Sequence, residues 1–309
     1  MKNKDFVHIH VHTEFSLLDG GQKITSLIDK AKEMGQKAIA TTDHGVMYGT
    51  VKAHQYAQKV GIKHIVGCEL YTTPFGKLAH EKDFKKGERS SNHLIVLAKN
   101  KEGYKNLCQL ASLGWSEGYY RRPRIDRQML KKHKNGLIIS SACMGGSIPS
   151  LILSGKIKEA EEELEFFADT FKEDFYIELQ NHNIQEEIAV MEYMKDLSIK
   201  WGIPRIVGVD AHYLNKEDKA IHDALICIGT GQKVDGERRF QFQGDGYWLM
   251  NEREVLERFS DEEAIYNTGI LADKIEDTVI EFGNLKLPYF NIERDKEEFE
   301  NWKGESKWL

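Results

Sequence analysis

The sequence predicts an α/β fold, either a barrel or a doubly wound parallel sheet. Two observations lead to this prediction. Short apolar runs alternate with amphipathic stretches about seven times over the first two thirds of the chain. Glycines such as Gly35, Gly61 and Gly202 end a helical stretch, and the apolar run that follows ends on a polar side chain. Barrels and doubly wound sheets build their sites at that end of their strands.

The individual elements follow from the spacing of apolar residues. Strands are predicted over residues 6–12, 38–42, 64–72, 93–98, 137–140, 175–179 and 206–209. Helices are predicted over 24–34, 51–60, 156–171 and 185–201, and the first two end at Gly35 and Gly61. After Tyr213 the pattern becomes mainly helical, with helices over 216–228, 252–259 and 262–275 and a short strand over 247–250.

Composition excludes several classes of protein. The 309 residues carry 43 Lys+Arg against 49 Asp+Glu, a net charge of −6, with 40% hydrophobic residues and only 5 Pro. This excludes disordered, collagen-like and low-complexity chains. No apolar run reaches the ~20 residues of a membrane span, and the N-terminus lacks a signal-peptide core, so we expect a soluble, cytoplasmic protein without a membrane partner. Four cysteines without a Cys-x-x-Cys pair predict reduced thiols.

Histidines concentrate in the first predicted strand, which reads Val7-His8-Ile9-His10-Val11-His12. Residues two apart in a strand point to the same face, so we expect His8, His10 and His12 to form one column of imidazoles. Two imidazoles at this spacing can share a divalent ion. For His8, the deepest of the three, a packing role is favoured.

Further ligand-type side chains stand at predicted strand ends. Asp19, His44, Glu69, His93, Cys143, Asp210 and His212 join His10 and His12 to give nine candidates. Cys68 alternates with Glu69, which assigns Cys68 to the core. Nine ligands are too many for one tetrahedral zinc ion and suit two or three divalent ions. A single such residue is more often a cap or surface residue, so the interpretation depends on the whole set.

One stretch is locally basic. Residues 121–134 hold seven Lys/Arg and one acid, and Tyr119 and Tyr120 precede them. Arg121, Arg122 and Arg124 are therefore candidates for contacts with a nucleic-acid backbone. The alternative is a solvated helix face.

The motifs together resemble a known family. His10-x-His12, Thr42-Asp43-His44-Gly45, Gly67-Cys68-Glu69, the run from His93 to Lys99, Ser141-Ala-Cys143 and Asp210-x-His212 occur in the order found in the polymerase and histidinol phosphatase (PHP) domain. The resemblance reaches about residue 290 and is closer to the branch at the N-terminus of bacterial replicative DNA polymerase III alpha subunits. It implies a distorted (β/α)7 barrel over about 5–215 with its metal site at the C-terminal face of the strands. A helical and hairpin extension over about 216–290 would complete a PHP domain of residues 1–290, followed by a polar tail or linker over 291–309.

The resemblance also implies a ligand set and an ion count. Three divalent ions are expected, with zinc favoured and manganese or iron as alternatives. His10, His12, Glu69 and Asp210 would surround one ion. Glu69, His93 and Cys143 would hold a second, and Asp19, His44 and His212 a third. The nine residues would then be both the metal ligands and the catalytic set.

The implied activity is hydrolysis of phosphate esters, specifically 3′-5′ exonuclease action on the 3′ end of a primer strand. Implied partners are DNA, the remainder of a polymerase III alpha subunit and replisome proteins. No Asp-x-Asp pair of the kind a polymerase palm uses occurs in the sequence, so we expect a PHP fragment or free-standing PHP protein without polymerase activity. Two alternatives stay open: a metal-stabilised structural domain of the polymerase, and a stand-alone phosphatase of the histidinol-phosphate kind.

Overall fold

A computed structural model describes residues 5–237 and 239–283 of the chain. Its strands, in chain order, are β1 (Ala38–Thr41), β2 (Lys63–Thr72), β3 (Asn92–Ala98), β4 (Tyr119–Tyr120), β5 (Arg122–Ile125), β6 (Leu137–Ser140), β7 (Phe175–Leu179) and β8 (Arg205–Val207). Among these strands, the pair β4 and β5, which forms a short hairpin, is the one that the sequence patterns did not predict. The remaining named strands match predicted ones to within two residues at either end.

Helices cover the outside of the strands. They are α1 (Ile24–Glu33), α2 (Thr50–Val60), α3 (Lys101–Ser116), α4 (Arg127–Lys132), α5 (Ser147–Leu153), α6 (Ile157–Phe171), α7 (Gln185–Trp201), α8 (Lys219–Thr230), α9 (Glu252–Arg258) and α10 (Glu262–Asp273). Helices α2 and α7 end at Gly61 and Gly202, both in the left-handed region that favours glycine. In the described part of the chain, none of these helices combines the length and the apolar character that a membrane span requires.

The first residues of the chain close the strands into a barrel. β5, β2, β3, β6, β7 and β8 are neighbours in that order, and β1 pairs with β2. Residues 6–12, the N-terminal segment, lie between β1 and the stretch after β8. Its carbonyl oxygens accept from the N–H groups of Ala40 and Thr42 on one side, and the N–H of His12 donates to the carbonyl of Ala211 on the other. Seven strand-like stretches therefore surround one interior, which confirms the distorted (β/α)7 barrel.

Strand β3 departs from the predicted series of parallel strands. It runs antiparallel to both β2 and β6, whereas β1 with β2, β6 with β7 and β7 with β8 are parallel. A parallel neighbour needs a crossover, usually a helix. Residues 73–91 between β2 and β3 contain no named helix, so the chain returns in the opposite direction. As a result His93, at the start of β3, lies at the edge where the parallel strands end.

The expected column of three histidines is interrupted. The N-terminal segment makes only one bridge, between Val11 and Ala211, and the chain bends at His10. Before the bend Val7 and Ile9 pack in the barrel interior, whereas Val11 packs in the outer core. The set of residues that faces the barrel interior thus changes at His10, from odd-numbered residues before it to even-numbered residues from it onward. His8 contacts Phe6, and its Nε2–H donates to the carbonyl of Met250 at 2.7 Å. The prediction of one column is therefore wrong for His8.

The region after residue 213 is helical, as predicted, but lacks the predicted hairpin within the described residues. Residues 247–250 form one isolated bridge, between Trp248 and Tyr213, in place of a strand. Their backbone is used by the loop after β8: the N–H of His212 donates to the carbonyl of Tyr247. Leu271 and Ala272 of helix α10, and Ile275 just after it, pack against the barrel interior. The predicted boundaries at 215 and 290 stay a prediction, and the predicted tail over 291–309 lies outside the described residues.

Candidate metal centre

The nine candidate ligands form one continuous cluster at the edge of the barrel where the parallel strands end. Each contacts at least one other through its side chain; the members are His10, His12, Asp19, His44, Glu69, His93, Cys143, Asp210 and His212. They come from the N-terminal segment, two strands and four loops. The barrel therefore brings together residues that are far apart in the sequence.

Glu69 lies in the middle of the cluster and is fully buried. One carboxylate oxygen contacts Nδ1 of His93 and lies 3.9 Å from Nε2 of His10, and the other contacts Nδ1 of His44 and lies 3.5 Å from Nε2 of His12. Sγ of Cys143 is 3.4 Å from Nδ1 of His93 and 3.9 Å from Glu69. One carboxylate thus faces four imidazoles and a thiol, which is the arrangement a bridging ligand needs.

Asp210 is the second carboxylate of the inner part of the cluster. Its Oδ1 lies 3.2 Å from Nε2 of His10 and 3.0 Å from Nε2 of His12. Those two Nε2 atoms are themselves 3.1 Å apart. Asp210 has φ 53°, in the left-handed region that a non-glycine residue seldom adopts. Such strain tends to occur at functional sites, and here it turns the carboxylate toward the two imidazoles.

Asp19 forms the outer part of the cluster. Its carboxylate lies 2.9 Å from Nε2 of His44 and 3.8 Å from Nε2 of His212. His222 of α8, which sequence reasoning did not select, is 3.4 Å from the same carboxylate and buried. A histidine inside a predicted amphipathic helix gives no signal of this role, because packing explains it equally well.

Glu178 is a further buried residue that sequence reasoning missed. Its Oε1 lies 2.7 Å from Nδ1 of His10 and accepts from Gln180, and its Oε2 accepts from the hydroxyl of Ser140 at 2.5 Å. A carboxylate on the far nitrogen fixes which nitrogen of an imidazole faces a metal and raises its basicity. An acidic residue inside the otherwise apolar strand at 175–179 was the signal that could have identified it.

One prediction about a residue next to the cluster, the assignment of Cys68 to the core, is confirmed. Cys68 is buried in the outer core and its thiol lies 3.3 Å from the carbonyl of Asp43. Asp43 itself accepts from the backbone and hydroxyl of Thr13 and from the hydroxyl of Ser16. Asp43 therefore fixes the loop that carries Asp19 to the loop that carries His44, and does not face the cluster.

The cluster is open on one side. His10, His12 and Glu69 are fully buried. The side chain of His44 is 16% exposed, that of Asp19 24% and that of His93 27%. A substrate from solvent therefore meets the outer residues first.

Burial and neighbouring charges shift the pKa values of several residues in the cluster. Burial lowers the pKa of His12 to about 3, and His44 and His212 act in the same direction. Burial also opposes protonation of His10, but Asp210 and Glu178 outweigh it and raise the pKa of His10 to about 10. Burial raises the pKa of the Cys143 thiol well above its usual value. The carboxylates around His10 thus favour its positively charged form, whereas burial keeps His12 neutral.

The residues fit divalent metal ions. Four buried ligand-type atoms lie against other ligand-type atoms without forming a hydrogen bond of good geometry: Nδ1 of His44, Oε2 of Glu69, Oδ1 of Asp210 and Nε2 of His212. Three groups place their ligand atoms within 4.8 Å of one another: His10, His12 and Glu69; Glu69, His93 and Cys143; and His12, His44 and His212. Bonds of ~2.0–2.3 Å from nitrogen, oxygen or sulfur to one ion produce such separations.

The three arginines predicted to contact nucleic acid separate into two kinds. Arg124 is fully buried, and its guanidinium donates to the carbonyls of Gly118, Ser90, Ala79 and Glu81. All these donors are used inside the protein, so the prediction for Arg124 is wrong. Arg121 and Arg122 are exposed at the hairpin of β4 and β5.

The fold is an α/β barrel, and histidine, carboxylate and cysteine side chains cluster where its strands end. These two features define a class of barrel proteins whose site is of the kind that binds metal ions. The chain belongs to the PHP domain family, whose model matches residues 8–182. This confirms the family that the motifs indicated.

Among characterised proteins, the chain is similar to DNA polymerase III alpha subunits. It is 42% identical over 288 residues to that of Borreliella burgdorferi, covering 93% of this chain and 25% of the relative. It is 38% identical over 298 residues to that of Treponema pallidum, covering 94% and 25%. The chain thus spans about a quarter of the length of these relatives. A solved two-domain protein of Bacteroides vulgatus, described as containing a predicted PHP-like metal-dependent phosphoesterase, has a TM-score of 0.42 and 14% identity, covering 67% of this chain and 52% of that one.

Proposed function

We propose that the chain is a metal-dependent phosphoesterase that removes nucleotides from DNA 3′ ends, as a 3′-5′ exonuclease. The observation that carries the proposal is the open cluster of nine ligand-type side chains, in which three groups place their ligand atoms within 4.8 Å of one another. Nitrogen, oxygen and sulfur atoms that converge in this way are arranged as the ligands of a divalent cation are.

We assign the nine residues to three divalent ions, with zinc favoured because histidine, cysteine and carboxylate ligands occur together. His10, His12, Glu69 and Asp210 would hold one ion, Glu69, His93 and Cys143 a second, and Asp19, His44 and His212 a third. The contact of His12 with His44 and His212 suggests that His12 serves the third site as well. When bound, such ions polarise phosphoryl oxygens and make water a nucleophile at neutral pH.

The surrounding residues prepare this site. Glu178 orients the imidazole of His10 so that Nε2 faces the cluster. Asp43 keeps the loops that carry Asp19 and His44 in register through its bonds to Thr13 and Ser16. The apolar interior below the cluster excludes water from its inner side. A phosphate ester would approach from the side of His93, His44 and Asp19, where the ligands are partly exposed.

DNA is proposed as the substrate because the relatives are DNA polymerase III alpha subunits. The remainder of such a subunit and other replication proteins are the proposed partners. No Asp-x-Asp pair occurs in the sequence, and we propose that polymerase chemistry, where present, belongs to other parts of such a protein.

The test is digestion of a primer with a mismatched 3′ end by metal-loaded chain, with and without a chelator. Matched samples are loaded with Zn²⁺, Mn²⁺ or Fe²⁺. The expected result is shortening from the 3′ end that the chelator abolishes and that His10→Ala and Asp210→Ala remove. Absence of chelator-sensitive cleavage with all three metals would contradict the proposal. Turnover of histidinol phosphate without any action on DNA would instead indicate the small-molecule phosphatase.

A structural role for the ions is a second candidate, and one observation favours it. His10 and His12 lie on the N-terminal segment, while Asp210 and His212 follow β8, so the cluster spans the seam where the barrel closes. Ions held there would join the two sides. If this is their main role, His10→Ala and Asp210→Ala lower the melting temperature sharply while DNA is never cleaved. If both variants melt at the temperature of the parent, the structural role is excluded.

A further inference from the structure

We propose that an aromatic surface beside the metal centre binds single-stranded DNA by stacking with its bases. The surface, which we call the aromatic platform, consists of Trp115 and Tyr119, and Arg122 lies on the adjoining strand β5. The inference rests on the proposed exonuclease function and states how the strand that enters the site is held.

The aromatic platform is formed by two rings that are stacked on each other and open to solvent. The ring centroids of Trp115 and Tyr119 lie 5.5 Å apart, with 17° between the ring planes. The two side chains are 47% and 48% exposed. Large aromatic rings exposed side by side mark interaction sites. A flat, stacked pair offers a surface onto which a nucleobase can add as the next ring.

A hydrogen bond joins the aromatic platform to the metal centre. The indole Nε1–H of Trp115 donates to the carbonyl of Gly45 at 3.0 Å, and Gly45 directly follows His44. Gly45 has φ +63°, and a Cβ there would meet Pro123 at 2.9 Å and the Tyr71 ring at 3.0 Å. The close approach of the β4–β5 hairpin to the His44 loop therefore requires glycine. The platform is held at a fixed position next to a proposed ligand.

Arg122, on the strand that pairs with that of Tyr119, lies between the hairpin and the buried ring of Tyr71 beside the cluster. The guanidinium carbon of Arg122 lies 5.4 Å from the centroid of the Tyr71 ring. That ring is 5.3 Å from the ring of His93 and 6.4 Å from that of His44. Arg121 and Arg122 are exposed, and within the described residues neither forms an ion pair. Glu117 is the single acid in residues 115–122.

The two tyrosines that precede the basic stretch have different roles. Tyr119 points outward and stacks on Trp115. Tyr120 points inward, where its ring stacks on Phe84 at 5.4 Å and lies 5.2 Å from the buried guanidinium of Arg124. The inner pair braces the hairpin, and the outer pair is left for a ligand.

Single-stranded DNA fits these features better than a duplex or a protein. Bases in a duplex are stacked on one another and cannot reach an outside ring, whereas an unpaired strand can combine base stacking with phosphate contacts. Two unpaired arginines next to a proposed cation centre favour a polyanion over a protein surface. A strand that crosses the platform and Arg122 would reach the partly exposed side of His44 and His93.

The experiment measures binding and chemistry separately. Binding is followed by fluorescence anisotropy of a labelled single-stranded oligonucleotide with phosphorothioate linkages at its 3′ end, which resist hydrolysis. Tyr119→Ala is expected to weaken binding on the order of 10-fold, as loss of one stacking contact does. Tyr119→Phe keeps the ring and is the matched control, expected to bind as the parent does. Arg122→Ala should weaken binding and reduce its salt dependence, while Arg253→Ala, an exposed arginine of α9, should do neither.

Chemistry at the metal centre is followed with bis(p-nitrophenyl) phosphate, a small diester that cannot reach across the platform. Tyr119→Ala should hydrolyse it at the parental rate. Unchanged DNA binding by Tyr119→Ala and Arg122→Ala, with diester hydrolysis by Tyr119→Ala intact, would overturn the platform and leave the proposed function standing. Platform-dependent binding by a chain that cleaves neither DNA nor the diester would overturn the proposed function and support the platform. A parent chain that binds no single strand would overturn the platform and leave the surface to a protein partner.

Discussion

The two halves of the barrel interior use the same strands and have opposite chemistry. The lower half is apolar: β2 contributes Ile65, and β3 contributes Leu97 and Ile95. The upper half is polar, because the same strands place Glu69 and His93 there. The lower half can form and stabilise the barrel without any ligand, since burial of apolar side chains needs no partner charge. The upper half buries carboxylates and imidazoles whose charges must compensate one another.

The largest expected effect on stability is in the lower half of the barrel interior, and it tests whether that half is stable without a ligand. Leu97→Ala should lower the free energy of unfolding by about 2–5 kcal/mol, because it removes a fully enclosed side chain from the interior. Urea unfolding, with and without chelator, measures the effect. Leu97→Met, which nearly conserves volume, is the control and should cost less than about 1.5 kcal/mol. A Leu97→Ala effect that appears only in metal-loaded protein would show that the halves are not independent.

The next largest effect is expected on metal binding by the upper half. Glu178→Gln should weaken divalent metal binding about 10- to 100-fold, because His10 loses the carboxylate on its Nδ1. Competition with a chelator of known affinity measures it. Glu163→Gln offers a matched control, since Glu163 is also buried but pairs with Arg127 on the outside of the barrel. Equal losses in both variants would rule out a specific role for Glu178.

The smallest effect concerns His8, which lies two residues from His10 and on the other side of the bend. His8→Gln keeps a donor for the carbonyl of Met250, so the free energy of unfolding should change by about 1 kcal/mol or less. Metal content of the purified chain should be unchanged, whereas His10→Gln should reduce it. Metal analysis of the two purified variants measures this difference. A drop in metal content for His8→Gln would show that His8 is a ligand after all.

Local patterns predicted most of the fold, because apolar periodicity and helix-ending glycines are properties of neighbouring residues. Helices α2 and α7 and strands β2 and β7 were found in this way. The direction of β3 was missed, because strand direction depends on the connection, and residues 73–91 give no helical pattern to read. The bend at His10 was missed for a related reason: alternation assumes regular pairing on both sides, and the N-terminal segment has one bridge on one side.

Site residues were predictable where their residue type is rare in that position of the sequence, and not where it is common. Histidines, a cysteine and carboxylates at strand ends are few enough to be recognised together, and the resemblance to the PHP family ordered them. Glu178 and His222 were missed because an acid in a strand or a histidine in a helix has many structural explanations. Arg124 was misjudged because a run of basic residues does not reveal which guanidinium turns inward. Only the contact of Arg124 with four carbonyls separates it from Arg122.

Closure of the barrel by the N-terminal segment has a consequence for folding kinetics. Val11 pairs with Ala211, so the first strand-like stretch of the chain can complete the barrel only after the last one has been placed. Contacts between residues so distant in sequence carry the largest loop-closure entropy and form late. His10 and Asp210 meet only in that late step. Assembly of the cluster therefore coincides with completion of the barrel, and a chain still emerging during synthesis holds only a part of the ligand set.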